Sequence, residues 1–336
     1  RMKKRESSLE LLRIVSMLMV LTVHFVGAAF GLPTPEELQS PTASMLWKNA
    51  LESLAIVGVN CFVLISGYFG IRASWKGLLH YTLLCLFASL VVYVFHLFME
   101  GGATYSWQEA VMIYSKTDLW FVPAYLALYL LSPVLNGVRS LTDRQWVLVL
   151  SGLLFVNVYL GWCKGGKVNP FGYNEMQMIF MYVVGAALNR YLPLLKQFRS
   201  WFYLLCYLVC CALVFGSTFV FTSRVAFAYN APAVVFASVS LFLVFAVMPS
   251  FYNRFINWTA SSAFMIYLLH KSPYVWIKIK TFLTTWEATE TQGTFLLYAA
   301  ALFVGIFVVS IFIDQIRKVL FASVEVMFPK KEKIKL

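Results

Sequence analysis

The sequence predicts an all-α, polytopic membrane protein of about ten transmembrane helices with both termini cytoplasmic. Three observations predict it. The 336 residues are 60% hydrophobic and only 12% charged, with a mean hydropathy of +0.75, too little charge to cover a water-soluble surface of this size. The apolar runs are continuous and about 20 residues long, as membrane-crossing helices require, and do not alternate as barrel strands would. Basic residues are unevenly shared between alternate connections.

The spans run approximately over 9–31, 51–71, 78–98, 119–138, 146–162, 176–190, 201–222, 231–249, 259–280 and 293–313. The sixth is short and is expected to extend into its flanks, and the fifth to be partly re-entrant. With both ends inside, the inner segments, adjoining span ends included, carry 18 Lys and Arg and the outer ones 8, in keeping with the positive-inside rule. No connection is long enough for a second domain, so residues 1–336 read as one integral-membrane domain, closed by a basic cytoplasmic tail over 314–336. No internal repeat is evident. The first apolar run is too long for a cleavable leader and reads as a signal anchor.

The net charge of +12 invites a nucleic-acid reading, but no soluble basic domain or aromatic platform is present to hold a polymer, so no nucleic-acid partner is expected. Lipids are. Of the six cysteines, Cys61, Cys85, Cys206, Cys210 and Cys211 lie in apolar runs and read as small core residues; Cys163 stands near an outer connection.

The first span, LLRIVSMLMVLTVHFVGAAFG (Leu11 to Gly31), contains the most informative side chains. Ionisable groups inside a membrane are costly and mark sites or pathways. On an ideal helix His24 falls within roughly 20° of Arg13 around the axis and about 16 Å further along it, while Glu10 is offset by about 40° and lies roughly 21 Å away. Ser7 and Glu10 have the spacing of a capping box, and Glu10 is also placed to pair with Arg13 at i,i+3. His24 reads as a general base that takes a proton from a hydroxyl, since an ordinary imidazole pKa of about 6.5 lets it take and return a proton at neutral pH; the bland alternative is a core histidine bonded to a neighbouring helix.

His270 is the second buried histidine. It closes the run AFMIYLLH and is followed by Lys271, Ser272 and Pro273. Proline there breaks or bends the helix, and broken backbone inside a membrane is tolerated only against protein or a wet cavity. Measured along their helices, His24 and His270 fall at broadly similar depths, so a shared polar cavity is expected. Two histidines without a third ligand do not make a metal site, and no metal is expected. Ser66-Gly67 allows close helix approach. Arg72 and Lys76, just beyond the second span, serve either the topology rule or an anionic donor. Asp118 and Trp120 open the fourth span, as interface aromatics or substrate contacts. His80 and His96 read as interfacial, and Glu175 is left open.

Four motifs occur in order: LELLRIVSMLMVLTVH; FVLISGYF followed by Arg72 and Lys76; LWFVPAYLALYLLSPVL; and AFMIYLLH. Together they resemble the integral-membrane acyltransferase-3 family of bacterial O-acyltransferases over essentially the whole chain. The resemblance implies a multi-pass enzyme of the bacterial plasma (inner) membrane. It would move an acyl group, probably acetyl, from cytoplasmic acyl-CoA to a hydroxyl of a cell-surface glycan or lipid-linked sugar. It implies His24 as the catalytic residue, a general base or a transient acyl carrier, with Arg13 and Glu10 at the family's arginine and acidic positions and Arg72 and Lys76 as its basic pair. Beside these, His270 is expected in the catalytic set, Ser66 and Tyr68 among the donor contacts with Arg72 and Lys76, and Trp120 and Asp118 as acceptor contacts. The family's basic pair is usually two arginines; here it is Arg72 with Lys76 at a different spacing. The family's soluble hydrolase-like extension is not seen, which implies a stand-alone membrane form. A transporter or flippase for a lipid-linked saccharide is the rival reading, and the missing repeat weighs against it.

Overall fold

A computed structural model describes residues 6–100, 106–115, 119–165 and 168–327. Helices account for the regular structure among these residues, with no strand. In order they are α1 (Ser7–Val23), α2 (Ala43–Ala55), α3 (Gly58–Phe69), α4 (Trp75–Glu100), α5 (Trp107–Val111), α6 (Phe121–Leu135), α7 (Asp143–Leu154) and α8 (Glu175–Leu195). There follow α9 (Ser200–Ser217), α10 (Ser223–Ala226), α11 (Pro232–Ala246), α12 (Arg254–Ala260), α13 (Ala263–His270), α14 (Pro273–Thr289) and α15 (Gln292–Met327). Two segments, His24–Ala28 and Phe155–Cys163, continue α1 and α7 as wider π-helical turns.

Among the described residues, eight helical runs are long and apolar enough to cross a membrane, including Ser7–Ala28, the combined α2–α3 run Ala43–Phe69, and Gln292–Ala322. Large apolar side chains such as Phe98, Val134 and Leu148 are exposed around the bundle. Water does not tolerate so much apolar surface, but lipid solvates it. The sixth run does extend into its flanks, to Glu175–Leu195, with Glu175 exposed in its first turn.

Two sequence expectations are revised. The span expected over 259–280 is three helices. Ser261 and Ser262 interrupt it once, where Ser262 leaves helical geometry and its hydroxyl accepts from Gln315 and Lys318 of α15. Lys271 and Ser272 interrupt it again, with Pro273 opening α14 at a position where its missing N–H costs nothing. The basic tail expected from residue 314 is, as far as Met327, the continuation of α15; there Asp314 and Arg317 form a buried ion pair (2.8 Å). Residues 328–336 lie outside the described region.

The two largest lobes of the core share α1 and α6. One also gathers side chains of α3, α8, α9 and α11; the other also those of α4 and α13. In the first, α3 and α8 cross at backbone contact. A β-carbon on Gly67 would overlap the Tyr182 carbonyl, and one on Gly185 the Leu64 carbonyl. The close approach read from Ser66-Gly67 is thus present. A chain of buried amides, Asn60, Gln177, Asn169, Asn157 and Asn230, ties α3, α8 and the second π-helical turn to the Tyr229 backbone carbonyl. Each of these helices buries polar groups only because another satisfies them. Val59, Phe121 and Tyr125 pack against both lobes, and between the lobes lies the site.

Candidate active site

A cavity of about 320 Å³ separates the lobes. Its wall is mostly apolar, from residues such as Met17, Val20, Phe62 and Phe264, with polar groups converging at intervals: Arg13, Ser66, Tyr125 and Ser261, then His24, Trp120, Tyr229 and Tyr267. An apolar chamber of this size with few polar groups is the usual form of a small-molecule site.

Helix α1 contributes both Arg13 and His24 to the wall, as their shared helical face requires. The capping box expected at its start does not form. Ser7 is already helical, and its hydroxyl donates to Asn257 Oδ1 (2.9 Å) and accepts from the Asn253 amide (2.8 Å), so it is spent on the α12 region. Glu10 instead pairs with Arg13, whose Nη1 reaches both carboxylate oxygens at 2.8 and 2.9 Å. Glu10 is buried, while Arg13 keeps 28% of its side chain exposed. Glu10 therefore acts on the cavity through Arg13.

His24 begins the π-helical turn. Such turns widen the helix locally, re-aim side chains and recur at functional positions. His24 Nδ1 lies 2.8 Å from His270 Nε2, and His270 Nδ1 lies 2.6 Å from the Ile266 carbonyl oxygen. The carbonyl can only accept, so His270 carries its proton on Nδ1. Its Nε2 must then accept from His24 Nδ1–H, which leaves the lone pair of neutral His24 on Nε2. The Trp276 ring packs 5.7 Å from the His24 ring and is covered by Lys271 Nζ at 4.5 Å. The break before Pro273 brings Trp276 and Lys271 here.

Of the other residues singled out from the sequence, Ser66 and Trp120 line the cavity. Ser66 shares a 3.2 Å hydrogen bond with Tyr125. Trp120 packs on Tyr173 (5.3 Å) and Tyr229 (5.9 Å). Tyr68 packs instead on Phe242, outside the wall, and Arg72 and Lys76 are exposed beyond the end of α3. Asp118 lies outside the described residues. His80 is exposed, whereas His96 is buried edge-on to Tyr274 (4.4 Å).

Three features went unread in the sequence. Trp276 had no periodic signal to distinguish it from an interface aromatic. The contact of Lys318 with the cavity residue Ser261 (2.6 Å) joins positions 57 residues apart. Glu52 is buried, with its carboxylate against Gly27 of the π-helical turn. An acid inside the second apolar run was a visible signal of cost.

A helical membrane bundle with His24 at the wall of a chamber and His270 bonded to it from outside that wall is the architecture of an intramembrane enzyme. Residues 6–314 match the family described as an acyltransferase domain, and the chain belongs to this acyltransferase-3 family. It is a membrane acyltransferase that transfers groups other than amino-acyl groups. Neither a curated protein nor a solved structure matches it.

Proposed function

We propose that the protein is an O-acyltransferase in which His24 Nε2 is the general base. The donor is acyl-CoA, with acetyl as the acyl group, and it enters from the cytoplasm at the Arg13 end of the cavity. The acceptor is a hydroxyl of a cell-surface glycan or lipid-linked sugar, held at the Trp120 end. The membrane is the bacterial plasma membrane, with both termini cytoplasmic.

His24 Nε2 takes the hydroxyl proton as the oxygen attacks the thioester carbonyl carbon. The tetrahedral adduct collapses, the carbon–sulfur bond breaks, and the departing thiolate takes the proton back from Nε2. The products are an O-acyl ester and free CoA. His270 holds His24 in the required tautomer and accepts its Nδ1–H throughout, as the acidic partner does in hydrolase triads. Arg13, steadied by Glu10, Ser66 and the exposed Arg72 and Lys76 meet the donor's polar and phosphate groups. The single observation that supports this reading is the ordered relay from the Ile266 carbonyl through His270 to His24 at the cavity wall.

The test is to reconstitute the purified protein in lipid nanodiscs with labelled acetyl-CoA and a glycan acceptor from a deletion strain. Acyl transfer, seen as an added acetyl mass on the glycan, is expected. A protein that neither binds nor consumes acyl-CoA would be the transporter of the rival reading.

A further inference from the structure

Glu52 is an expensive residue in this fold. It sits in α2, 3% exposed, inside a run that crosses the membrane. A carboxylate there costs free energy unless something compensates it. Lys48, one turn earlier in the same helix, is engaged by Glu287 at 2.6 Å instead. The contact Glu52 does make is specific. Its carboxyl group lies flat against Gly27, where a β-carbon would sit 2.8 Å from Oε1 and 3.0 Å from Oε2. No side chain at 27 stands between the carboxyl group and the backbone of the turn. Oε2 has no hydrogen-bond partner of its own, so the group is not there to complete a polar network.

Gly27 belongs to the π-helical turn His24–Ala28 that begins with His24. A π-helical turn is less favourable than the α-helix that would replace it, and it needs outside support. Returning the turn to α-geometry would rotate Gly27 away from Glu52 and swing His24 away from His270. We infer that Glu52 is a positioning residue: by gripping Gly27 from α2 it holds the widened turn that aims His24 at His270 and into the cavity. The side chain at 27 must be absent for the carboxylate to reach the backbone. The inference rests on the acyl-transfer reading of His24.

The test is a double-mutant cycle in nanodiscs with labelled acetyl-CoA, using Glu52→Ala, Gly27→Ala, the double variant and Glu52→Gln, with His24→Ala alongside. A displacement of a reacting group by about 1 Å costs about 100-fold in rate. Glu52→Ala is therefore expected to lower kcat by about 10- to 100-fold while both KM values stay within about twofold. Gly27→Ala should lose as much, because its methyl group drives the carboxylate off the turn. The double variant should be no worse than either single one, since the two share one interaction. Glu52→Gln keeps the size and planar shape of the group that packs on Gly27 and should recover most of kcat. Should Glu52→Ala fail to fold, judged by elution and thermal unfolding in detergent, the Gln and Gly27 variants still decide. Wild-type kcat in Gly27→Ala, multiplying losses in the cycle, or a Gln variant as poor as Ala would overturn the inference. If His24→Ala itself stays active, the acyl-transfer reading fails; if only His24→Ala is inactive, the Glu52 inference alone fails.

Discussion

His24 Nδ1 and His270 Nε2 lie 2.8 Å apart although the residues are separated by 246 positions. The contact exists because two helices are irregular at the same level. The α1 helix widens at His24, and the α13 helix ends at His270 before Pro273 starts the next. The Ile266 carbonyl then sets every proton in the pair, and His24 is left with a lone pair on its outer nitrogen.

Removing the relay should cost rate more than binding. His270→Ala frees His24 to adopt the other tautomer and is expected to lower kcat by about 100-fold or more, with the KM for acetyl-CoA little changed. His270→Gln offers an amide oxygen to His24 Nδ1–H and should retain more activity than the alanine variant. Steady-state assays with labelled donor distinguish them, and equal rates for both variants would count against the relay.

The Arg13–Glu10 pair makes a different prediction. Arg13→Ala takes from the buried Glu10 carboxylate the Nη1 donor that reaches both its oxygens. The expected loss is about 2 kcal/mol of stability, moderated because Arg13 is partly exposed. Adding Glu10→Gln should restore the thermal stability without restoring donor binding. Arg13→Lys keeps the charge but not the planar guanidinium, so it should fold normally and raise the donor KM by about tenfold. Unfolding scans together with donor titrations check both halves.

Arg72 and Lys76 are exposed and stand off the cavity wall. Their contribution to a charged donor is therefore screened by salt. Replacing either with alanine is expected to raise the donor KM about fivefold at low ionic strength, less at high, and to leave kcat unchanged. A fall in kcat would place them nearer the chemistry than their exposure allows.

The α3–α8 crossing sets a limit on the scaffold. Gly67→Val would push a branched side chain into the Tyr182 backbone, separate the two helices and destabilise the protein by about 3 kcal/mol. Thermal unfolding in detergent should show a clear drop. Gly137→Ala, where a β-carbon meets open space, should show almost none.

Much of this was legible in sequence for identifiable reasons. Long apolar runs mark membrane helices because lipid leaves the backbone no other partner. Arg13 and His24 were placed on one face by helical geometry alone, and the proline after His270 marked the helix break. What could not be read depends on contacts between distant segments. Ser7 has the spacing of a cap, but Asn253 and Asn257 claim its hydroxyl. The interruption at Ser261–Ser262 has no proline or glycine to announce it and is fixed by Lys318 and Gln315 from α15. The π-helical turn at His24 has no one-dimensional signature, and it took the fold to set Glu52 beside Gly27.

The central claim is that His24 Nε2 is the base and does not carry the acyl group. The most direct measurement compares wild type with His24→Ala, reconstituted at equal levels, for transfer of labelled acetyl from acetyl-CoA to glycan. A parallel sample of wild type with donor alone is quenched and analysed for covalent label. The account predicts transfer by wild type, none above background by His24→Ala, and no label on the protein. Transfer by His24→Ala at the wild-type rate, or labelled His24 in the quenched sample, would contradict it.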